Sequence, residues 1–511
     1  MSTERESTGE GMFLEDARLG ARHPVLLQYA EAGRMHHMRP YFRAYALVDL
    51  AHGVMLVEEG ILDGVRGGKL LGGLLEILEA GPDRFPWEVQ SGSYLVHVEN
   101  YLGRRLGHDV AGRLQTGRSR NDQGAAVDRL FSRDLLLEVF GDLLALARVL
   151  LSLAREHVHT VMPGYTHLQH AQPWTFGFYL MRQVSILERD LQRLAGAYAR
   201  ANLSALGGAA CAGTSWPVNR RRVAELLGHD GLVTNACDAG SFARDHLEEE
   251  MAVLALLMSN LGRLATDLYV WHSWEFSFVE VADGLAATSS IMPQKKNPRA
   301  LETVKALAGQ AAGWLPAAMA CQRGVLSTDL DMPFGRDLLA PAGDVCTSSL
   351  RLMTEAMRTL TVYADAMAQK AGVFWSTASH LADELVRRFD LPFRTAHQIV
   401  GRFIKGSIAA GHTPQSPSAD LFRQAAQEMA GRDIALSAEE IRRLLDVREF
   451  LETCATEGSV NPRHVRAHIE AMDGVLAGHE RWHAQKAQSA RQAVEMLVTR
   501  AKQVAVETPG A

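Results

Sequence analysis

Long runs of apolar residues spaced three and four apart dominate this chain and leave it little choice but helices. DRLFSRDLLLEVFGDLLALARVLLSLAREHV (128–158) and EEEMAVLALLMSNLGRLATDLYVW (248–271) hold leucine and alanine at that spacing over many turns. This is the pattern of helices that pack in a bundle. Alternating β-branched runs are almost absent, so the fold class is all-α. Glu138, Asp142 and Arg148 interrupt the apolar stretch from Leu135 to Leu153, which suits a buried bundle helix better than a membrane span. Loops are punctuated by Gly and Pro at MPGYTH (162–167), at ALGGAACAG (205–213) and from Pro293 to Pro298; GGKLLGG (67–73) also reads as a turn. At 511 residues the chain exceeds what one core ordinarily supports. Three regions are expected: an N-terminal helical domain (1–120), a central long-helix bundle (121–372) and a C-terminal helical domain (373–511). The last contains an exposed helix from Gly478 to Ala505, and the first dozen residues read as disordered.

Charge narrows the function classes. Lys and Arg number 53 against 59 acidic residues, a formal net charge of -6, without the basic excess expected of a nucleic-acid binder. Five cysteines (Cys211, Cys237, Cys321, Cys346, Cys454) lie singly, with no CxxC pair, as in a protein kept reduced in the cytoplasm. The polar start MSTERESTGEGMF offers no apolar leader. His479-Glu480-Arg481-Trp482-His483 matches H-E-x-x-H literally. It sits in a polar terminal stretch without a third ligand, in a chain of 20 histidines, so no metal is assigned. His36-His37 reads as surface, and no cofactor is required.

Three polar segments stand out inside the apolar helical sequence: TGRSRNDQ (116–123), GYTHLQHAQP (164–173) and TSSIMPQKKNPRALE (288–302). Together they offer Ser119, Arg120, Asn121, Thr166, His167, Ser289, Lys295 and Asn297. Cations, amides and hydroxyls grip carboxylates, and a histidine or an activated hydroxyl moves a proton. Any one segment alone reads best as a capping loop. All three together do not.

The three segments resemble, nearly letter for letter, the signature stretches of the argininosuccinate lyase family within the fumarase/aspartase superfamily. SSIMPQKKNP is the superfamily tag, and TGRSRNDQ and GYTHLQHAQP point to the argininosuccinate lyase branch. Weaker similarity runs from about Asp49 to about Val475, through LGGAACAGTSWPVNR, NACDAGSFARDHLEEE and LPFRTAHQIVG. The resemblance implies three helical domains, a twenty-helix core in a homotetramer, and active sites each shared among three subunits. It implies elimination of an amine from an N-substituted aspartate to give fumarate. In that scheme Ser289 is the base, acting as an alkoxide stabilised by Lys295 and nearby backbone N–H groups. Lys295 and Asn297 bind the carboxylate that becomes the aci form. Ser119, Arg120, Asn121 and Thr166 hold the succinyl part. His167 positions and stabilises charge, paired with Glu302. Thr288 departs from the usual glycine and should stiffen the start of the loop.

Other departures gather on the amine side of the substrate. The family's D-x-x-G-S-x-A-H stretch aligns with Tyr45 to His52, so the serine becomes Asp49. The later Y-x-x-D-L-Q-x-x-K pattern aligns with LSTDLDMPF, putting Leu326, Asp331 and Phe334 at the Tyr, Gln and Lys places. The family's N-terminal L-W-G-G-R-F is missing. Two acids in place of neutral groups, and a lost lysine, suit a compact ammonium better than a zwitterionic arginine. The expected substrate is therefore an aminopolycarboxylate such as ethylenediamine-N,N'-disuccinate, with argininosuccinate as the alternative and Asp49 and Asp331 as substrate-binding residues. Lens crystallins keep the family fold in a structural role, but the intact proton-transfer set argues for an enzyme.

Overall fold

The computed structural model describes residues 22–242, 244–323 and 331–506. The opening residues read as disordered, and Leu326, lie outside them. The central feature is the 37-residue helix Arg120–Glu156. Its start is set by a capping box in which Ser119 and Asp122 satisfy each other's backbone N–H groups. At 1.5 Å per residue it spans roughly 55 Å. Helix Phe176–Ala201 runs back alongside it, so that Arg129 Nη1 donates to the Arg200 carbonyl at 2.9 Å. Helix Asp245–Trp271 returns in the first direction: Ser132 Oγ donates to Glu250 Oε2 at 2.7 Å, and Tyr179 packs on Trp271 with ring centroids 4.5 Å apart. Asp245–His272 is long and apolar enough to cross a membrane, yet it packs among Phe176–Ala201, Arg299–Ala311 and Leu339–Arg358. These helices enclose one large core of leucine, alanine and aromatic side chains.

A second core joins helices Phe42–Glu58, Gly64–Arg84 and Tyr94–Leu106 to the start of the long helix. GGKLLGG is not a turn: it lies inside Gly64–Arg84. Its glycines serve close packing, since a Cβ on Gly73 would stand 2.5 Å from Leu102 and one on Gly67 2.3 Å from Val57. A third, separate core holds residues 375–445.

The terminal helix also differs from expectation. It runs 45 residues, Pro462–Val506, and buries Leu476, Ala490, Leu497, Ala501 and Val504 against the first two cores. The H-E-x-x-H residues serve this packing. His483 stacks on Phe140 and its Nε2 donates to the Leu137 carbonyl at 2.9 Å, His479 lies 3.3 Å from Glu188, and Glu480 pairs with Arg148. His36 and His37 are exposed.

Strands are few and short, as an all-α fold requires, with one exception. GYTHLQHAQP, read as a loop, belongs to an antiparallel hairpin of Val161–Thr166 and Gln169–Thr175.

Candidate active site

Ser119 is held by the cap it makes. Its backbone N–H donates to Asp122 Oδ1 at 2.8 Å, and its Oγ accepts from the Asn121 N–H at 3.3 Å. The other Asp122 oxygen accepts from Gly207 N and Ala209 N, both at 2.9 Å. Burial pushes the Asp122 carboxyl up, and these N–H groups oppose the rise. Arg120 is exposed and Asn121 half-buried at the tip of this turn. The turn is fastened from behind by helix Phe42–Glu58. Asp49 is fully buried there, with Arg118 Nη1 at 2.7 Å and Gln123 Nε2 donating to its Oδ1 at 2.7 Å. One turn along, His52 Nε2 donates to the Thr116 carbonyl at 2.9 Å. Burial, then the Arg118 charge, holds His52 well below the usual histidine range, so the ring is neutral.

Ser289 sits just beyond a two-residue neck in which Ala287 pairs with Asn297 and Thr288 with Lys296. Its Oγ accepts from the backbone N–H groups of Ile291 (3.3 Å) and Met292 (3.1 Å). Two aligned N–H dipoles on one hydroxyl oxygen favour its anion. Lys295 is exposed on the same loop and borders a cavity of about 1330 Å³ also lined by His272, Glu280, Gln294 and Tyr363. Asn297 is half-buried in the neck. Sequence reasoning passed over Lys296, although it adjoins Lys295 in the same segment. Its Nζ lies 2.7 Å from Glu280 and 2.6 Å from Asp283, and Tyr363 donates to the other Glu280 oxygen. Burial disfavours the Lys296 ammonium, but Asp283 and Glu280 outweigh it and hold its pKa up. This cluster fastens the neck that presents Ser289.

Thr166 ends one strand of the hairpin, and His167 is the first of two residues at its tip. His167 and Leu168 have φ of 56° and 58°, the left-handed values that a two-residue hairpin turn demands. All three side chains are exposed. Glu302 lies half-buried in the first turn of Arg299–Ala311. Among the described residues, no hydrogen bond or ion pair joins it to His167. Within one chain the segments also divide between the two ends of the bundle. The hairpin and the Ser289 loop share one end, where Tyr165 packs on Phe276 at 5.6 Å. Ser119–Asn121 stand at the other, a long helix away.

Comparison with known proteins identifies the family. Residues 67–313 match the lyase family profile and residues 375–452 the argininosuccinate lyase C-terminal profile. The chain is 37% identical over 450 residues to argininosuccinate lyase of Methanosarcina acetivorans, covering 87% of this chain and 89% of that protein. It is 35% identical over 464 residues to argininosuccinate lyase of Methanocaldococcus jannaschii, covering 90% and 93%. The chain belongs to the argininosuccinate lyase family. Among solved structures, EDDS lyase in complex with formate superposes with a TM-score of 0.84 at 33% identity, covering 95% of this chain and 97% of that one. A variant of EDDS lyase with bound fumarate gives the same score and identity. The 3-carboxy-cis,cis-muconate lactonizing enzyme of Pseudomonas putida, at 20% identity and a TM-score of 0.68, shares the fold. The protein is a carbon–nitrogen lyase that releases fumarate.

The positions expected to depart from the family on the amine side are Asp49, Asp331 and Phe334. Asp49 does not stand as a free carboxylate for a substrate ammonium: its charge is offset by Arg118, and neither side chain has any exposure. Burial pushes its carboxyl up while Arg118 pulls it back. Asp331 opens the short helix Asp331–Arg336, with its side chain outside the described residues. Phe334 is 51% exposed.

Proposed function

We propose that this lyase removes a proton from an N-substituted aspartate with Ser289 as base, in a site assembled from more than one chain. Ser289 Oγ takes the proton from the carbon beside one carboxylate, and the C–N bonding pair leaves with the amine. The new double bond makes fumarate, and the departing nitrogen takes up a proton. The observation that carries this reading is the pair of N–H groups on Ser289 Oγ, with Lys295 on the same loop to offset negative charge. A free serine is far too weak an acid without them. Lys295 and Asn297 take the carboxylate that becomes the aci form, and Ser119, Arg120, Asn121 and Thr166 take the rest of the succinyl half. His167, with Glu302 of another chain, positions and stabilises charge. The separation of Ser119–Asn121 from Ser289 supports sites shared within a homotetramer. The five cysteines, all free, suit a cytoplasmic protein.

For the amine half we favour an aminopolycarboxylate of the ethylenediamine-N,N'-disuccinate type. Phe334, where the family pattern has lysine, removes a cation that an amino-acid carboxylate would use, and Asp331 puts an acid in the sequence where that pattern has glutamine. A charge-assisted contact is worth about 1.5–3 kcal/mol, enough for a tenfold or greater preference. The second reading is argininosuccinate, the substrate named for the curated relatives. Asp49, already paired with Arg118, contributes nothing to this choice by its charge. The deciding experiment measures kcat/KM for fumarate release from argininosuccinate and from mono- and di-succinylated ethylenediamine side by side. A higher value for the succinylated diamines is expected, and a clear win for argininosuccinate assigns the second reading.

A further inference from the structure

Asp49 lies deep in helix Phe42–Glu58, yet its contacts converge on one functional turn. Arg118 and Gln123, the residues it holds, bracket Ser119, Arg120 and Asn121 in sequence. His52, on the same helix face, fixes the Thr116 carbonyl before them. From the opposite side, Asp122 is tied to the 207–209 loop. The turn is thus clamped at 116, 118, 122 and 123, on both sides of Ser119–Asn121. The clamp is ionic and buried: the Asp49 and Arg118 side chains have no exposure, and the second Asp49 oxygen and the Tyr94 hydroxyl beside it have no hydrogen-bond partner among the described residues. A buried ion pair tolerates loss of one member poorly, because the other is left as an uncompensated charge.

We infer that Asp49 is a positioning residue: through Arg118 and Gln123 it fixes the Ser119–Asn121 turn that grips the dicarboxylate half of the substrate, without touching substrate itself. The inference rests on the reading of Ser119–Asn121 given under Proposed function. It reassigns the one amine-side departure whose partners are known.

The test uses the full chain, fumarate release, and succinate as a competitive inhibitor. Asp49→Asn keeps the shape but leaves Arg118 unpaired. It should raise KM and the succinate Ki at least tenfold while kcat at saturation stays within about threefold, since Ser289 and Lys295 are untouched. Asp49→Asn combined with Arg118→Gln removes both charges. It should recover Tm without recovering succinate affinity, a split that a purely structural role would not give. Gln123→Met is the milder variant, decisive if Asp49→Asn does not fold, and should weaken succinate at least threefold. Succinate affinity within twofold of the parent in the folded variants overturns the inference. Asn121→Ala separates the two claims. If it too leaves succinate binding unchanged, the reading of the turn has failed. If it weakens succinate while the Asp49 and Gln123 variants do not, only the positioning role has failed.

Discussion

At Ser289 the chemistry depends on one oxygen and the two N–H groups that point at it. Ser289→Ala removes that oxygen from a half-buried loop position and nothing from the core. It should lower kcat by on the order of 10²–10⁴-fold or more, with Tm and the circular dichroism spectrum unchanged. Near-normal turnover would remove Ser289 from the mechanism. Lys295→Met should cost both turnover and fumarate affinity, because Lys295 serves the carboxylate in both states. A different residue contributes to how stability responds to pH. Glu250 is fully buried, and burial pushes its carboxyl up to about 8, against the hydrogen bond from Ser132. Below the ordinary glutamate value of 4.5 the side chain is protonated whether the chain is folded or not, so it has no effect. As pH rises from there to about 8, the folded state keeps a proton that the unfolded chain has lost, and stability falls by about 1.4 kcal/mol per unit. Glu250→Gln keeps the acceptor for Ser132 and cannot ionise. Its Tm advantage over the parent should widen from pH 5 to pH 8, and parallel Tm curves would show that the folded chain holds no extra proton at Glu250 in this interval.

The elements themselves differ in how openly the sequence displays them. Arg120–Glu156 and Asp245–Trp271 were legible because a helix that buries most of its circumference must repeat apolar residues every three or four positions. The hairpin was not legible. Its strands carry Pro163 and Pro173 and little β-branched alternation, and its tip places His167 and Leu168, neither of them glycine, in left-handed backbone. GGKLLGG misled in the opposite direction, because glycine marks turns by its freedom but marks close helix packing by its size. Two adjacent glycines of Gly64–Arg84 separate these roles. A Cβ on Gly72 meets nothing within 4 Å, whereas one on Gly73 meets Leu102 at 2.5 Å. Gly72→Ala should stabilise by up to about 1 kcal/mol from helix propensity. Gly73→Ala should destabilise by about 1–3 kcal/mol through overpacking. Thermal denaturation of the two variants should move Tm in opposite directions, and a shift of the same sign would contradict this packing. Asp49 shows a further limit of sequence reading. Its acidic character was visible, but its partner Arg118 lies far along the chain in the segment 116–123, and only the folded chain brings them to 2.7 Å.

Over the whole molecule, the three polar segments were recognisable as a set, while their distribution along the bundle was not. A sequence shows which residues could grip a dicarboxylate, but not that a 37-residue helix holds Ser119–Asn121 roughly 55 Å from the hairpin end, where Ser289 sits. If Ser119–Asn121 and Ser289 serve one site, as proposed, they must come from different chains, laid side by side in opposite directions. Subunit complementation tests this most directly. Asn121→Ala and Ser289→Ala chains, each nearly inactive alone, are mixed in equal amounts and allowed to exchange subunits, with exchange followed by native mass spectrometry. If a site takes Asn121 from one chain and Ser289 from another, roughly a quarter of the sites in the mixed assemblies contain neither lesion, and fumarate release should recover to about that fraction of the parent. If each site is built within one chain, every site carries one lesion. Confirmed exchange with no recovery would contradict the shared site.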